Sequence, residues 1–307
     1  MIFYTGLDER LKAAGLTKTA LTTTLGISSR TIAKIAKGER LSKKTLEKIA
    51  AHLGCGTEEL CRDISDNAIL QILRDEKDAG VSGGLYHELQ VRMAYNSNRI
   101  DGSRLTEAQT RMIYETNTID AEDGVPVDDV LETVHHFRAI DYIIDTAEEP
   151  LTEGLIKRLH LILKHDTQDA RLNRIAVGGY KKRANTVGGR ETTPPEAVPE
   201  RMRILLEIYN SRETVTLQDV IEWHVIFEHI HPFQGGNGQV GRLIALKECL
   251  RHNIVPFIIE DTKKQSYFQG LSEWPAAKER LAETCFDGQD TFAQLLDMLG
   301  IGHGHKK

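Results

Sequence analysis

The sequence predicts an all-α fold: a small N-terminal helical module, then a larger helical body carrying one short β-hairpin. Three observations predict it. Apolar residues recur at three- and four-residue spacings through most of the chain, as they do on helices buried along one face. Cap and stop residues punctuate these stretches, with Ser28 and Ser42 before helices and Gly38 and Gly54 after them. Only residues 171–195, rich in Gly, Arg/Lys, Thr and Pro, have another texture. On this reading residues 1–65 form the first domain, 66–84 a linker, 85–295 the body and 296–307 a tail.

In the first domain, Leu7, Leu11 and Ala14 give an opening helix its apolar stripe. A second helix starts near Thr17 and runs to Leu25. Gly26-Ile27-Ser28 is a tight turn, and a third helix follows from Ser29 to Lys37. A fourth, capped by Ser42, carries Leu46, Ile49, Ala50 and Leu53 on one face. Thr57-Glu-Glu-Leu60 starts a last short one. Helix, Gly-containing turn, helix is the order of a helix-turn-helix, whose second helix meets base edges with its first residues. Here those are Ser28, Ser29, Arg30, Thr31 and Lys34, with Ile32, Ile35 and Ala36 inward. The stretch resembles the Cro/repressor-type DNA-binding family, which implies DNA as a partner of residues 1–65. A small helical interaction or dimerisation bundle is the other reading of the same pattern.

Charge agrees with a polyanion partner for this part alone. Residues 1–65 hold 11 Lys/Arg against 7 Asp/Glu, net +4, while the whole chain is −6. The 40% hydrophobic and 27% charged content is that of a globular protein. Four cysteines without a CxxC pair argue against a disulfide framework or zinc ribbon. The first residues lack a signal-peptide pattern and no apolar run approaches the ~20 residues of a span, so a cytoplasmic protein with no membrane partner is expected. Gly302-His-Gly-His305 reads as a solvated terminus, with weak metal binding as its alternative.

Within the linker a helical pattern (Ile69, Leu70, Ile72, Leu73) runs from 66 to 78 until Ala79-Gly-Val-Ser-Gly-Gly84 breaks it, and beyond it helical patterns cover 85–97, 106–117, 126–147, 152–164, 199–210, 216–231, 237–252, 263–272 and 275–283. Gly178-Gly179-Tyr180 with Thr186-Val187-Gly188-Gly189 reads as the hairpin. The chemistry concentrates at His231-Pro-Phe-Gln-Gly-Gly-Asn-Gly-Gln-Val-Gly-Arg242. Pro232 forces His231 out of helical backbone, leaving it at a helix end facing a loop. The glycines let backbone N–H groups approach a ligand, and the next helix N-terminus adds its free N–H groups and dipole. Arg242, one turn in, adds a cation able to grip phosphate. A histidine, an anion cradle and an arginine together suggest phosphoryl or nucleotidyl transfer, with His231 as general base.

The run resembles the signature of the Fic family, His-Pro-Phe-x-(Asp/Glu)-Gly-Asn-Gly-Arg-x-x-Arg, and the resemblance extends over roughly 85–290. It implies an all-α Fic-type domain with a small hairpin flap. The implied activity is AMP transfer from ATP to a Ser, Thr or Tyr hydroxyl of a protein (the chain itself included), with Mg²⁺. His231 then matches the base, Phe233 the core anchor, Gly236, Asn237 and Gly238 the phosphate turn, and Arg242 the second arginine. Two positions depart: Gly235 replaces the acidic Mg²⁺ ligand and Gln239 the first arginine, so no side chain of the run holds metal, and both remain nucleotide-binding candidates by backbone or amide. Lys182, Arg183, Asn185, Thr186, Val187 and Gly188 fall in the implied target flap. Asn253–Ile259 and Gln265–Leu271 match segments that close the domain and line the adenine side. Ser97-Asn-Arg-Ile-Asp101-Gly102 resembles the inhibitory motif (Ser/Thr)-x-x-x-Glu-(Gly/Asn), which implies Asp101 set against Arg242 in competition with phosphate. Taken alone, the same residues are plain helix cap and stop.

The departures keep a second function open, a degenerate domain that senses nucleotide and regulates DNA through residues 1–65. A third is transfer of another group. A homodimer is compatible with the sequence. His224-x-x-x-Glu228-His229, His135-His136 and His160/His165 invite a metal reading, but packing or solvation is the simpler one. Lys181, Lys182, Arg183 and Arg190 invite a basic patch for nucleic acid, but within a flap solvated edge-strand charges are the simpler reading.

Overall fold

The computed structural model describes residues 2–36, 41–57, 60, 62–63, 67–120 and 124–301. Gly38, Cys61, the middle of Thr57–Leu60 and the Gly302–His305 stretch lie outside the described residues. The chain divides into two compact units, Met1–Ala68 and Ile69–Lys307.

In the first unit the helices are α1 (Thr5–Ala13), α2 (Ala20–Leu25), α3 (Ser29–Ala36) and α4 (Lys43–Leu53). Leu7, Leu11, Leu21, Ile27, Ile35, Leu41, Ile49 and Leu60 form its core. Helix α2 starts three residues later than Thr17 predicts, because Thr17 Oγ1 accepts from the Ala20 N–H at 3.3 Å and acts as a local cap. Gly26 ends α2 in left-handed backbone, and Ser28 Oγ accepts from the Thr31 N–H at 3.2 Å to start α3. A two-residue antiparallel pair, β1 (Ile2–Phe3) with β2 (Arg62–Asp63), was not foreseen; segments this short carry no period to read.

The second unit is α5 (Ala68–Ala79), α6 (Leu85–Ile100), α7 (Glu107–Thr116), α8 (Val127–Asp145), α9 (Glu153–Lys164), a short α10 (Gln168–Arg171), β3 (Thr186–Val187), β4 (Arg190–Glu191), α11 (Val198–Asn210), α12 (Leu217–Ile230), α13 (Asn237–Arg251), α14 (Lys264–Glu273) and α15 (Lys278–Met298). Helix α13 is its axis. It is buried at every position from Gln239 to Leu250, as expected of a helix surrounded by others, and α6, α8, α9 and α12 pack on it. Thr216 and Asp219 close a capping box that starts α12 and fixes where it ends, at the loop before α13.

Three expectations change. Residues 66–84 are no linker, because α5 buries Ile69, Leu70 and Leu73 in the same core as Leu85 and Leu89. The helix expected over 275–283 runs instead to Met298 and buries Leu281, Cys285, Phe292 and Leu296, so the 296–307 tail starts inside it. Gly288 weakens helix propensity there, yet it is what lets α15 lie on the chain at Ile258: a Cβ on Gly288 would stand 2.5 Å from the Ile258 carbonyl. The hairpin is confined to 186–191, with Thr186 opposite Glu191 and Val187 opposite Arg190. Gly188 (φ 56°) and Gly189 (φ 78°) both take the positive φ that a two-residue hairpin loop requires, and Gly178–Tyr180 pairs in no strand.

Candidate functional site

His231 closes α12 in left-handed backbone (φ 51°, ψ 62°), its N–H still bonded to the Phe227 carbonyl at 2.9 Å. For a residue with a Cβ that conformation is uncommon and must be held by its surroundings. The holding is done by the loop. Phe233 is fully buried, and Asn237 clamps it from both sides: its Oδ1 accepts from the Phe233 N–H at 2.8 Å and its Nδ2 donates to the Phe233 carbonyl at 2.9 Å. Gly236, at φ 77°, turns the chain into α13.

The flap side is tied to the same loop by three hydrogen bonds. The Lys181 N–H donates to the Pro232 carbonyl at 2.8 Å, Asn185 Nδ2 to the Phe233 carbonyl at 3.2 Å, and the Arg183 N–H to Gln234 Oε1 at 3.3 Å. Lys182, Arg183, Thr186, Val187 and Gly188 are exposed beside it, and a cleft of about 540 Å³ lined by Arg174, Lys182, Arg183 and Gln234 opens there. Lys181 is a correction. It is 3% exposed, and its Nζ donates to Asn185 Oδ1 at 2.8 Å and Thr192 Oγ1 at 2.6 Å, because three acceptors converge where the chain passes the Ile230 carbonyl. Burial pulls its pKa down to about 8.

His160 carries a role that sequence reasoning did not give it. Its Nδ1 accepts from the Gly178 N–H at 3.0 Å, so the proton sits on Nε2, which donates to the Gly235 carbonyl at 3.1 Å. Its ring stacks on Phe233 at 4.0 Å. Burial lowers its pKa to about 4, so the neutral tautomer that joins flap base to loop is the stable one. The signal was present: His160 and Lys164 lie four apart on the otherwise apolar face of α9.

Arg242 comes up from α13 beneath the loop. Its Nε donates to Ser97 Oγ at 3.0 Å, and its Nη2 to the Ser97 carbonyl and to Asp101 Oδ2, each at 2.9 Å. Asp101 is the residue after α6, with Gly102 behind it at φ 107°. The expected trio Ser97, Asp101 and Arg242 is therefore together in space. Arg242 Nη1 is buried without a hydrogen-bond partner among the described residues, and it stands 2.8 Å from where a Cβ on Gly238 would be. Gln239 points elsewhere, its Nε2 donating to Asn98 Oδ1 and Glu132 Oε2, both at 2.8 Å. A Cβ on Gly235 would meet nothing within 4 Å.

Burial sets the electrostatics. It lowers His231 to about 4, with Lys181 adding to the effect, so the imidazole is neutral at physiological pH and its buried Nδ1 has no partner among the described residues. Burial lowers His224 and His136 to about 3. Burial raises Glu228 to about 7, against the pull of Arg242 and with Asp101 reinforcing it. Burial opposes the charge on Arg242, but Asp101, Tyr267 and Glu228 more than offset it and hold the guanidinium charged. His224 Nε2 meets the Tyr267 hydroxyl at 2.7 Å and His229 Nε2 the Leu271 carbonyl at 2.9 Å, so neither is arranged as a metal ligand.

The Mg²⁺ that the family resemblance implies does not fit these donors. Gly235 has no side chain, Asp101 is bound to Arg242, Glu132 to Lys164, and Glu228 is buried with its charge disfavoured. Among the described residues no group of three or more His, Cys, Asp or Glu is placed to hold a metal.

Residues 150–249 match the Fic/DOC family and residues 6–66 the Cro/C1-type HTH DNA-binding domain. The chain thus carries a Fic/DOC domain behind a Cro/C1-type helix-turn-helix domain. Its fold is shared with a Fic domain containing signaling protein from Bacteroides thetaiotaomicron (TM-score 0.60, 21% identity, 78% of this chain and 99% of that one). It is shared also with Fic-1 from C. elegans (TM-score 0.58, 18% identity, 94% and 82%). A probable protein adenylyltransferase of Aquifex aeolicus is 28% identical over 154 residues, 47% of this chain. The match spans only 45% of that relative's length. Among the described residues no helix is long and apolar enough to cross a membrane.

Proposed function

We propose that this protein transfers AMP from ATP to a hydroxyl group of a protein and that Asp101 holds the activity in check. The observation that carries the reading is Arg242. It lies under the N-terminus of α13 with one terminal nitrogen, Nη2, spent on Asp101 and the other, Nη1, unpartnered beside Gly238. Backbone N–H groups, helix dipole and guanidinium together form a phosphate cradle. His231 stands at its rim, neutral, with the flap alongside to present the acceptor. His231 takes the proton of the target hydroxyl, the oxygen bonds to the α-phosphorus, and the bond to pyrophosphate breaks. Asp101 competes for the guanidinium that a terminal phosphate requires. No step is assigned to a metal.

The test is transfer of α-phosphate label from ATP. Asp101→Gly labels itself or a lysate protein more strongly than the wild type, and adding His231→Ala abolishes it. An unlabelled Asp101→Gly protein, with Mg²⁺ or Mn²⁺ supplied, overturns the proposal. Gln239 favours a second reading, since its amide is bound to Asn98 and Glu132 in the interior. In that reading nucleotide occupancy reports to DNA bound through residues 1–65. Retardation of promoter DNA by the full chain, altered by ATP, supports it; no retardation of any DNA removes it.

A further inference from the structure

The cradle has a second cation that the family resemblance does not assign. Lys164 ends α9 one turn beyond His160 and lies over the phosphate loop: its Cε is 2.6 Å from where a Cβ on Gly236 would stand. Its side chain is 12% exposed, and its Nζ pairs with Glu132 Oε1 at 2.7 Å. The other oxygen of Glu132 accepts from Gln239 Nε2 at 2.8 Å. Gln239 Oε1, fully buried, has no partner among the described residues and stands 3.5 Å from the same Gly236 position. An ammonium, an amide and Arg242 thus surround the first turn of α13, and Glu132 tethers the first two.

Charge decides what the ammonium is for. A polyphosphate brings more negative charge than one guanidinium and one helix N-terminus neutralise. The loop holds no carboxylate that would recruit a divalent cation to make up the difference. Arg242 is met by Asp101 and Lys164 by Glu132, so each cation of the cradle has its own internal carboxylate. We propose that Lys164 is the second phosphate cation of this site, leaving Glu132 for a non-bridging phosphate oxygen when ATP enters. This rests on the phosphate-site reading above. It adds that Glu132, like Asp101, competes with the nucleotide.

A structural lysine and a phosphate lysine predict opposite behaviour of Glu132. ATP is titrated into full-length Asp101→Gly and its double variants by calorimetry, in Mg²⁺ and in EDTA. Lys164→Met weakens ATP binding by about ten- to a hundredfold, the loss of one charge-assisted contact, and Lys164→Arg restores most of it. Glu132→Gln tightens binding. Unchanged affinity in Lys164→Met, or weaker affinity in Glu132→Gln, overturns the proposal while leaving the site reading intact. Should Lys164→Met not fold, the direction of Glu132→Gln decides alone. No ATP binding by Asp101→Gly itself in either condition overturns both.

Discussion

Asn237, Phe233, His160 and His231 act as one unit. The first two make reciprocal bonds across a four-residue turn, and the third joins that turn to the chain at Gly178. Asn237→Ala strands the buried Phe233 N–H and is expected to cost about 1–3 kcal/mol in chemical denaturation. Asn237→Asp keeps the acceptor and is expected to cost less. Because His231 is neutral down to about pH 4, activity of Asp101→Gly is expected to hold from pH 8 to 6, without a limb near 6.5. A halving near pH 6.5 would show an imidazole hydrated as in a free peptide. Sequence alone placed His231, Arg242, Ser97 and Asp101, because a motif carries them. It missed His160, Lys164 and Lys181: the spacing of the first two on α9 marks them as polar on an apolar face, but what each touches lies far off in the chain, at Gly235, Gly236 and Ile230.

Helices with capped starts were legible nearly to the residue, as α12 and α9 show, since Thr216 and Thr152 announce them locally. The helical pattern of α5 is legible over 66–78, but neither its place in the body's core nor the full length of α15 is, because nothing local says that Ile69 and Leu73 are buried beside Leu85 or that Gly288 meets the Ile258 carbonyl. Two glycines test this. Gly288→Ala forces a methyl against backbone and is expected to lower stability by about 1–3 kcal/mol. Gly235→Ala, at ordinary φ and with open space, is expected to stay within about 0.5 kcal/mol of wild type. Equal losses in thermal melts would mean that the packing at Ile258 yields.

Across the molecule, burial leaves many titratable groups uncharged. His135, His136, His160, His224 and His231 all have pKa values lowered to about 3 or 4. Unfolded, they bind protons below about 6.5; folded, they do not until far lower, so their contribution is present above 6.5 and is lost as pH falls. Glu228, raised to about 7, runs the other way: folded it binds a proton between about 7 and 4.5 that the unfolded chain does not, so it gains as pH falls through that window. Five groups outweigh one. Melting of the full chain is expected about 5 °C or more lower at pH 5 than at pH 7.5, and Glu228→Gln steepens the drop. A flat profile would mean that these histidines are hydrated in solution. The charge split of the sequence also acts at this scale. DNA binding through a module of net +4 is expected to weaken steeply with salt.

The central claim is that the Arg242 cradle binds a nucleotide phosphate and that Asp101 occupies it. Calorimetric titration of ATP into the wild type, Asp101→Gly and Asp101→Gly/Arg242→Ala tests this without requiring turnover. The account predicts binding about tenfold or more tighter in Asp101→Gly, lost again when Arg242 is removed. Equal affinity in all three proteins would contradict it.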